Sequence, residues 1–205
     1  KGSTTEGRRR LVLFSDSRQD AAKLSAGLEK RHYQDLVREL VVTHLQANDR
    51  NDFALCERYF DLNDRSAEVL TRARALATRR HIRNVTWKRG ELERVPIDDD
   101  CMDVALLSQA LHHAGDPARA VAEAVRILRE GGRVLVLDLR SHEESWVRDA
   151  LGDRWQGFGD EQLQALLTGA GLTDVRVRVG ARNQGDPFVV LLACGTKPRR
   201  RKART

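Results

Sequence analysis

The sequence predicts an α/β domain built on a doubly wound, mostly parallel sheet that ends in an antiparallel hairpin. Three observations carry this. Apolar runs of strand length alternate with segments of helical period from Cys56 onward, the pattern of a sheet with crossover helices. The run "RVLVLDL" is nearly continuous in apolar residues, as a strand covered on both faces must be. Finally, "DVRVRVG" alternates and is followed across "ARNQGD" by "PFVVLLAC", which reads as a hairpin at the sheet edge.

The elements follow in order. The first nine or ten residues are polar and read as disordered. Leu11 to Phe14 is a short apolar strand, and Arg18 to Glu29 continues as a helix with Ala21, Ala22, Leu24 and Leu28 on one face. A second amphipathic helix runs from His32 to Gln46, and "ANDRNDF" breaks it. "CERYFDLNDRSAEVLTRARALATRR" then reads as a strand, a turn and a helix from Arg65 to Arg79. "NVTWKR" and "MDVALLS" are strands, and "PARAVAEAVRILRE" is a helix with Pro117 at its start and Gly131 at its end. Gly131 and Gly132 form the turn into the next strand, and a helix from Glu161 to Thr168 precedes the final hairpin.

Composition narrows the function classes. The 205 residues are 40% hydrophobic, enough for a real core. No apolar run of about 18 residues and no signal-peptide pattern is present, so the expectation is a soluble cytoplasmic protein with no membrane partner. Cys56, Cys101 and Cys194 match no Cys-x-x-Cys spacing and read as reduced core thiols rather than zinc ligands. The formal net charge of +6 equals the charge of Lys197, Arg199, Arg200, Arg201, Lys202 and Arg204. The basic character therefore belongs to a solvated tail over 199–205, and its sharper reading is a weak contact with nucleic acid.

Ligands of open α/β sheets bind at the carboxyl ends of the parallel strands. "FDLND" stands at the end of one of them. There a carboxylate can accept hydrogen bonds from both hydroxyls of a ribose, which makes Asp61 the first candidate, with Asn63 and Asp64 beside it; Asp64 also suits the cap of the following helix. In "RGELERVP", Gly90 lets the chain turn close to a flat ring, Glu91 can accept from an exocyclic amine, and Leu92 can lie on the ring face; an exposed loop acid is the plainer reading of Glu91. The third strand runs into "SQALHHAGDP", where Ser108, Gln109 and His112 are candidates to line a pocket, a structural histidine being the alternative. Neighbouring His112 and His113 are expected to point different ways, so no metal site is expected.

These residues carry a resemblance. "DLNDRSAEVLTRARALA", "VALLSQALHHAGDPARAVAEAVRILREGGRVLVLDL" and "WVRDALGDRWQGF" resemble the class I S-adenosylmethionine-dependent methyltransferases, and are most similar to the small-molecule type found alone or fused behind ArsR-family regulators. The resemblance covers 61–198. It implies a Rossmann-like fold, S-adenosyl-L-methionine as cofactor and methyl transfer to a small-molecule acceptor. By position it also implies that Asp61 holds the donor ribose and that Gly90 and Glu91 flank the adenine. Ser108, Gln109 and His112 would border the methionine end and the acceptor. Trp146 and Trp155 fall in the family's variable lid and would shape the acceptor pocket, with core packing as their alternative role. No residue is singled out as a general base.

Two departures stand out. Glu130 occupies a position where the family usually has proline, and the family's glycine-rich loop after the first strand is missing. "LVLFSDSRQDAA" stands in its place, with side chains where a donor needs close backbone approach, which implies a weakened donor site. "RRRLVLFSDSRQDAAKLSAGLEKRHYQDLVREL" resembles instead a segment of the second RecA-like lobe of DEAD/DEAH-type superfamily 2 helicases, over about residues 8–60. No Walker lysine loop or acidic box accompanies it, so ATP hydrolysis is not implied. The expected organisation is a helicase-like fragment over 1–60 that supplies the first sheet unit, a methyltransferase-like domain over 61–198 and the basic tail. The alternative function is a helicase-derived nucleic-acid-binding module, or a chimeric chain without activity.

Overall fold

The computed structural model describes residues 10–16, 52–58, 75, 78–79, 81, 85–151, 153–182 and 187–199. The expected helices at 18–29 and 32–46, most of that at 65–79, and 200–205 lie outside them. The strands are β1 (Arg10–Asp16), β2 (Asp52–Arg58), β3 (Val85–Arg89), β4 (Met102–Ser108), β5 (Leu128–Leu139), β6 (Thr173–Arg182) and β7 (Val189–Thr196). The described helices are α1 (Pro117–Ile127), α2 (Trp146–Leu151) and α3 (Asp160–Gly169), with a 3-10 turn at Leu111–His113.

The sheet order is β3-β2-β1-β4-β5-β7-β6. β1 to β5 are parallel, while β7 runs antiparallel to both β5 and β6. The doubly wound sheet with a C-terminal hairpin is therefore the observed fold. β1 takes the central position, flanked by β2 and β4, and Val12 is fully buried there. Successive strands progress outward from β1 to β3 on one side and from β4 to β5 on the other. The direction reverses between β1 and β4, which opens a crevice at their carboxyl ends. Ser15 pairs in register with Ser108 across that point.

Two boundaries differ from the sequence reading. β2 begins at Asp52, inside the segment read as a polar break, because it pairs with β1 from Arg10↔Asp52 to Asp16↔Arg58. A backbone ladder does not require apolar side chains at its ends. α1 stops at Ile127 rather than Glu130, since Leu128 is already extended at ψ 143° and pairs with Met102. From there the register steps from Met102↔Leu128 to Val104↔Arg133, so the glycine pair lies in an irregularity within β5 rather than in a turn before it.

α1 shows how local sequence sets packing. Asp116 is extended at φ −136°, and its carboxylate accepts from the amides of Ala118 and Arg119 at 3.0 and 3.1 Å, an N-cap with Pro117 in the first turn. Ala120, Val121, Ala124 and Ile127 form the buried stripe and join the core with Leu107, Val134, Val136, Leu163, Leu167 and Leu191.

The basic tail is shorter than its charges suggested. Lys197 Nζ donates to Asp100 Oδ1 at 2.7 Å and to the carbonyls of Leu128 and Val125 at 2.7 and 2.9 Å, while its backbone bonds Gly131 and Gly132. These contacts fix Lys197 in the fold, since its ammonium satisfies carbonyls at the end of α1. Cys101 and Cys194 are free thiols, half-buried rather than in the core. Burial pushes the Cys101 thiol up, outweighing the nearby Arg10, and the thiol donates to the Asp98 carbonyl. No described helix is long and apolar enough to cross a membrane.

Candidate active site at the carboxyl edge of the sheet

On the β4 side of the crevice, polar groups are buried together. Ser108 ends β4 half-buried. Gln109 follows with φ 49° and 7% exposure, its amide donating to the Leu137 carbonyl at 2.7 Å. This turns the chain out of the sheet into the 3-10 turn. Asp138, fully buried near the end of β5, holds that turn in place. Its Oδ2 accepts from the amide of Leu111 at 2.9 Å, and its Oδ1 accepts from its neighbour Leu139 at 2.8 Å. Oδ1 also lies 2.6 Å from His112 Nδ1. A carboxylate only accepts, so Nδ1 carries a proton toward Asp138.

The expectation that His112 and His113 diverge is corrected. Both rings are fully buried with centroids 4.0 Å apart: successive residues of a 3-10 turn stand about 120° apart, which lets two neighbouring rings both turn into the core. Asp153 joins them, also buried, with Oδ1 3.6 Å from His113 Nδ1 and 3.8 Å from His112 Nε2. The segment carrying it is latched to the turn. The amides of Arg154 and Trp155 donate to the His112 carbonyl at 3.1 and 3.0 Å, and Trp155 Nε1 donates to the Ala114 carbonyl at 3.0 Å.

Neither candidate tryptophan is a core residue. Trp155 is 37% exposed and stacks 6.2 Å from Phe158, beside the histidine turn. Trp146 is 42% exposed, bonds Glu144 and sets its ring against the edge of Phe188. The structure thus brings Trp155 to His112, whereas Trp146 packs beside the start of β7.

Across the crevice, the loop after β3 carries Gly90, Glu91 and Leu92. A Cβ on Gly90 would sit 2.5 Å from Pro96 Cδ, so the glycine is required by the close return of its own loop. Glu91 is exposed and bridges to Arg94. Leu92 is 3% exposed and packs in the core. Glu93 ties the loop to the start of α1, its Oε1 accepting from the Gly115 amide at 2.6 Å. Glu123 on α1 accepts from the Val95 amide at 2.7 Å and from Arg126 at 2.8 Å. The Arg126 hydrogen bond holds the Glu123 carboxyl below its ordinary value against the opposing effect of burial. Glu123 in turn raises Arg126, whose guanidinium also bonds Asp99 and the Ile97 carbonyl.

Asp61 and Asn63 lie outside the described residues, as does the loop after Asp16. Sequence reasoning missed His113, Asp153 and Asp138 as a connected group. Asp153 in "GDRW" looks like any surface acid, and only the fold shows it buried.

Known proteins show what this architecture is. The profile of a methyltransferase domain family matches residues 52–136, spanning β2 to β5. The match starts at Asp52 and so takes in β2. The chain is 46% identical over 61 residues to an uncharacterised methyltransferase of Mycobacterium tuberculosis, covering 29% of this chain and 25% of that protein. It is 32% identical over 117 residues to the uncharacterised methyltransferase YcgJ of Bacillus subtilis, covering 49% and 46%. The crystal structure of YcgJ superposes with a TM-score of 0.57 at 16% identity over 96% of this chain and 95% of that one. The fold is accordingly the Rossmann-like fold of such structures, with β1 in the central strand position. The chain spans between a quarter and just under half of the length of these curated relatives.

Proposed function

We propose that the chain is an S-adenosylmethionine-dependent methyltransferase acting on a small-molecule acceptor. The observation that carries the reading is the crevice between β1 and β4, whose far strands belong to the methyltransferase-family match. Bound there, the donor supplies an electrophilic methyl group. On the β4 side the fit rests on Ser108, a small residue paired in register with Ser15 where the two strands end. Asp61 would hold the ribose, Asn63 beside it, and Glu91 would face the adenine. Ser108 and Gln109 would border the methionine end, while His112 and Trp155 edge the acceptor pocket and Trp146 flanks it from the lid. Catalysis in such a site rests on positioning, since in-line transfer gains most from a pre-set approach of acceptor to methyl. In this reading β1 supplies the central strand beside the donor, and the small-molecule acceptor rests on the resemblance to the ArsR-fused type.

Calorimetric titration with S-adenosylhomocysteine tests the reading. Micromolar binding that is abolished by Asp61→Ala in a protein with unchanged circular dichroism is the expected result. Absence of heat at millimolar ligand overturns it.

A further inference from the structure

We propose that His112, His113 and Asp153 form a binding site for a divalent metal ion of the zinc class. The three side chains are almost wholly buried, with 0%, 0% and 1% of their surfaces exposed, and one ligand atom from each lies within 4.8 Å of the others. Neither oxygen of Asp153 accepts a hydrogen bond from a described residue. A buried carboxylate without donors costs several kcal/mol, on the order of the penalty for any unpaired buried ion. Something cationic must therefore meet it.

The distances decide between a proton and a metal. Asp153 Oδ1 lies 3.6 and 3.8 Å from the two imidazole nitrogens, beyond the reach of a hydrogen bond. A tetrahedral zinc ion sits about 2.0–2.2 Å from its ligands, which places neighbouring ligand atoms roughly 3.3–3.6 Å apart. The 3.6 Å gap falls at the edge of that range and the 3.8 Å gap just beyond it, closer to an ion between the groups than to a shared proton.

The support around the cluster is also of the kind metal sites use. Asp138 accepts from His112 Nδ1 at 2.6 Å, which fixes the ring with Nε2 on the side of Asp153, as carboxylates behind metal-bound histidines do. The two buried carboxylates, Asp138 and Asp153, would be balanced by one divalent cation. Two imidazoles and one carboxylate select zinc-like ions over magnesium or calcium, which prefer all-oxygen sets. Bound there, the ion would clamp the segment at 153–155 to the turn after β4, and so hold one wall of the crevice.

The test uses the full chain without an affinity tag, stripped with chelator and titrated with zinc chloride by calorimetry, with bound metal measured by mass spectrometry. Uptake of one equivalent with micromolar or tighter affinity is expected, along with a visible absorption spectrum of tetrahedral cobalt when Co2+ replaces zinc. Asp153→Asn and His113→Gln should each weaken binding by more than about 100-fold, and Asp138→Asn by about 10–100-fold. His81→Gln, at an exposed position, should change nothing. Failure of the folded wild-type protein to take up zinc overturns the proposal, whether or not the variants fold. Equal uptake by wild type, Asp153→Asn and His113→Gln overturns it too, by placing the metal elsewhere.

Discussion

The two flanks of the crevice are fastened in opposite ways. Beyond β4 and β5, Asp138, His112, His113 and Asp153 are buried side chains, and several backbone amides converge on one carboxylate. Beyond β3, the loop at 90–97 is held by Glu93, Glu123 and Arg126, which reach it from or toward a partly exposed helix face. Water can replace a lost contact on the second flank but not on the first. Substitutions that remove one acceptor should therefore have unequal effects on the two sides.

The largest effect is expected at Asp138. Asp138→Ala would leave the amides of Leu111 and Leu139 and the His112 ring without their acceptor inside the core. Each orphaned buried donor costs about 1–3 kcal/mol, so a loss of about 4 kcal/mol is expected in urea denaturation. A loss below about 1 kcal/mol would mean that this flank is as forgiving as the other.

Gly157 comes next, because it sets the path of the segment that closes the buried flank. Its φ is +76°, and a Cβ there would stand 2.7 Å from the Leu139 carbonyl and closer still to that of Arg140. The contacts are backbone, which cannot rotate away as a flexible side chain would. Gly157→Ala should cost about 3 kcal/mol, adding a left-handed backbone penalty to overpacking. In a chain of this size that lowers Tm by roughly 6–12 °C. It should also loosen the bonds from Arg154 and Trp155 to His112, read as faster amide exchange at those two positions. An unchanged Tm would show that the segment at 153–158 is not held against β5.

What could be read beforehand divides along the same line. The alternation of strands with helices and the final hairpin were legible because alternation of periods is a property of neighbouring residues, as in "RVLVLDL" and "DVRVRVG". So was the start of α1, since Pro117 lies in its first turn. The buried cluster was not, because Asp153 and Asp138 meet the histidines only through the crossing of distant segments, and nothing local marks either as buried. The burial of Leu92 was hidden for the same reason: its neighbours in sequence are loop residues, whereas its neighbours in space are the core. The histidine pair misled because its geometry belongs to a 3-10 turn, and a three-residue turn leaves no period to read. Lys197 reads as the first charge of a tail, yet its ammonium caps the carbonyl end of α1.

The smallest effect, and the one that carries a pH signature, is on the open flank. Glu123 is held below its ordinary value of 4.5 by Arg126, so its stabilising contribution is fully present above the unfolded value and is lost as pH falls through the depressed folded value. Glu123→Gln keeps an oxygen that can accept from the Val95 amide but removes the charge opposite Arg126. The variant should be less stable than wild type by about 1 kcal/mol near neutral pH, a typical contribution for a partly exposed charged contact. The gap should stay constant down to about pH 5 and close below the ordinary glutamate value, because a protonated Glu123 and the glutamine that replaces it both present an uncharged group to Arg126. Urea midpoints for both proteins across that range provide the measurement. A gap that persists into acid would mean that the carboxylate acts on this loop by shape and hydrogen bonding alone, and that its flank resembles the buried one more closely than its exposure implies.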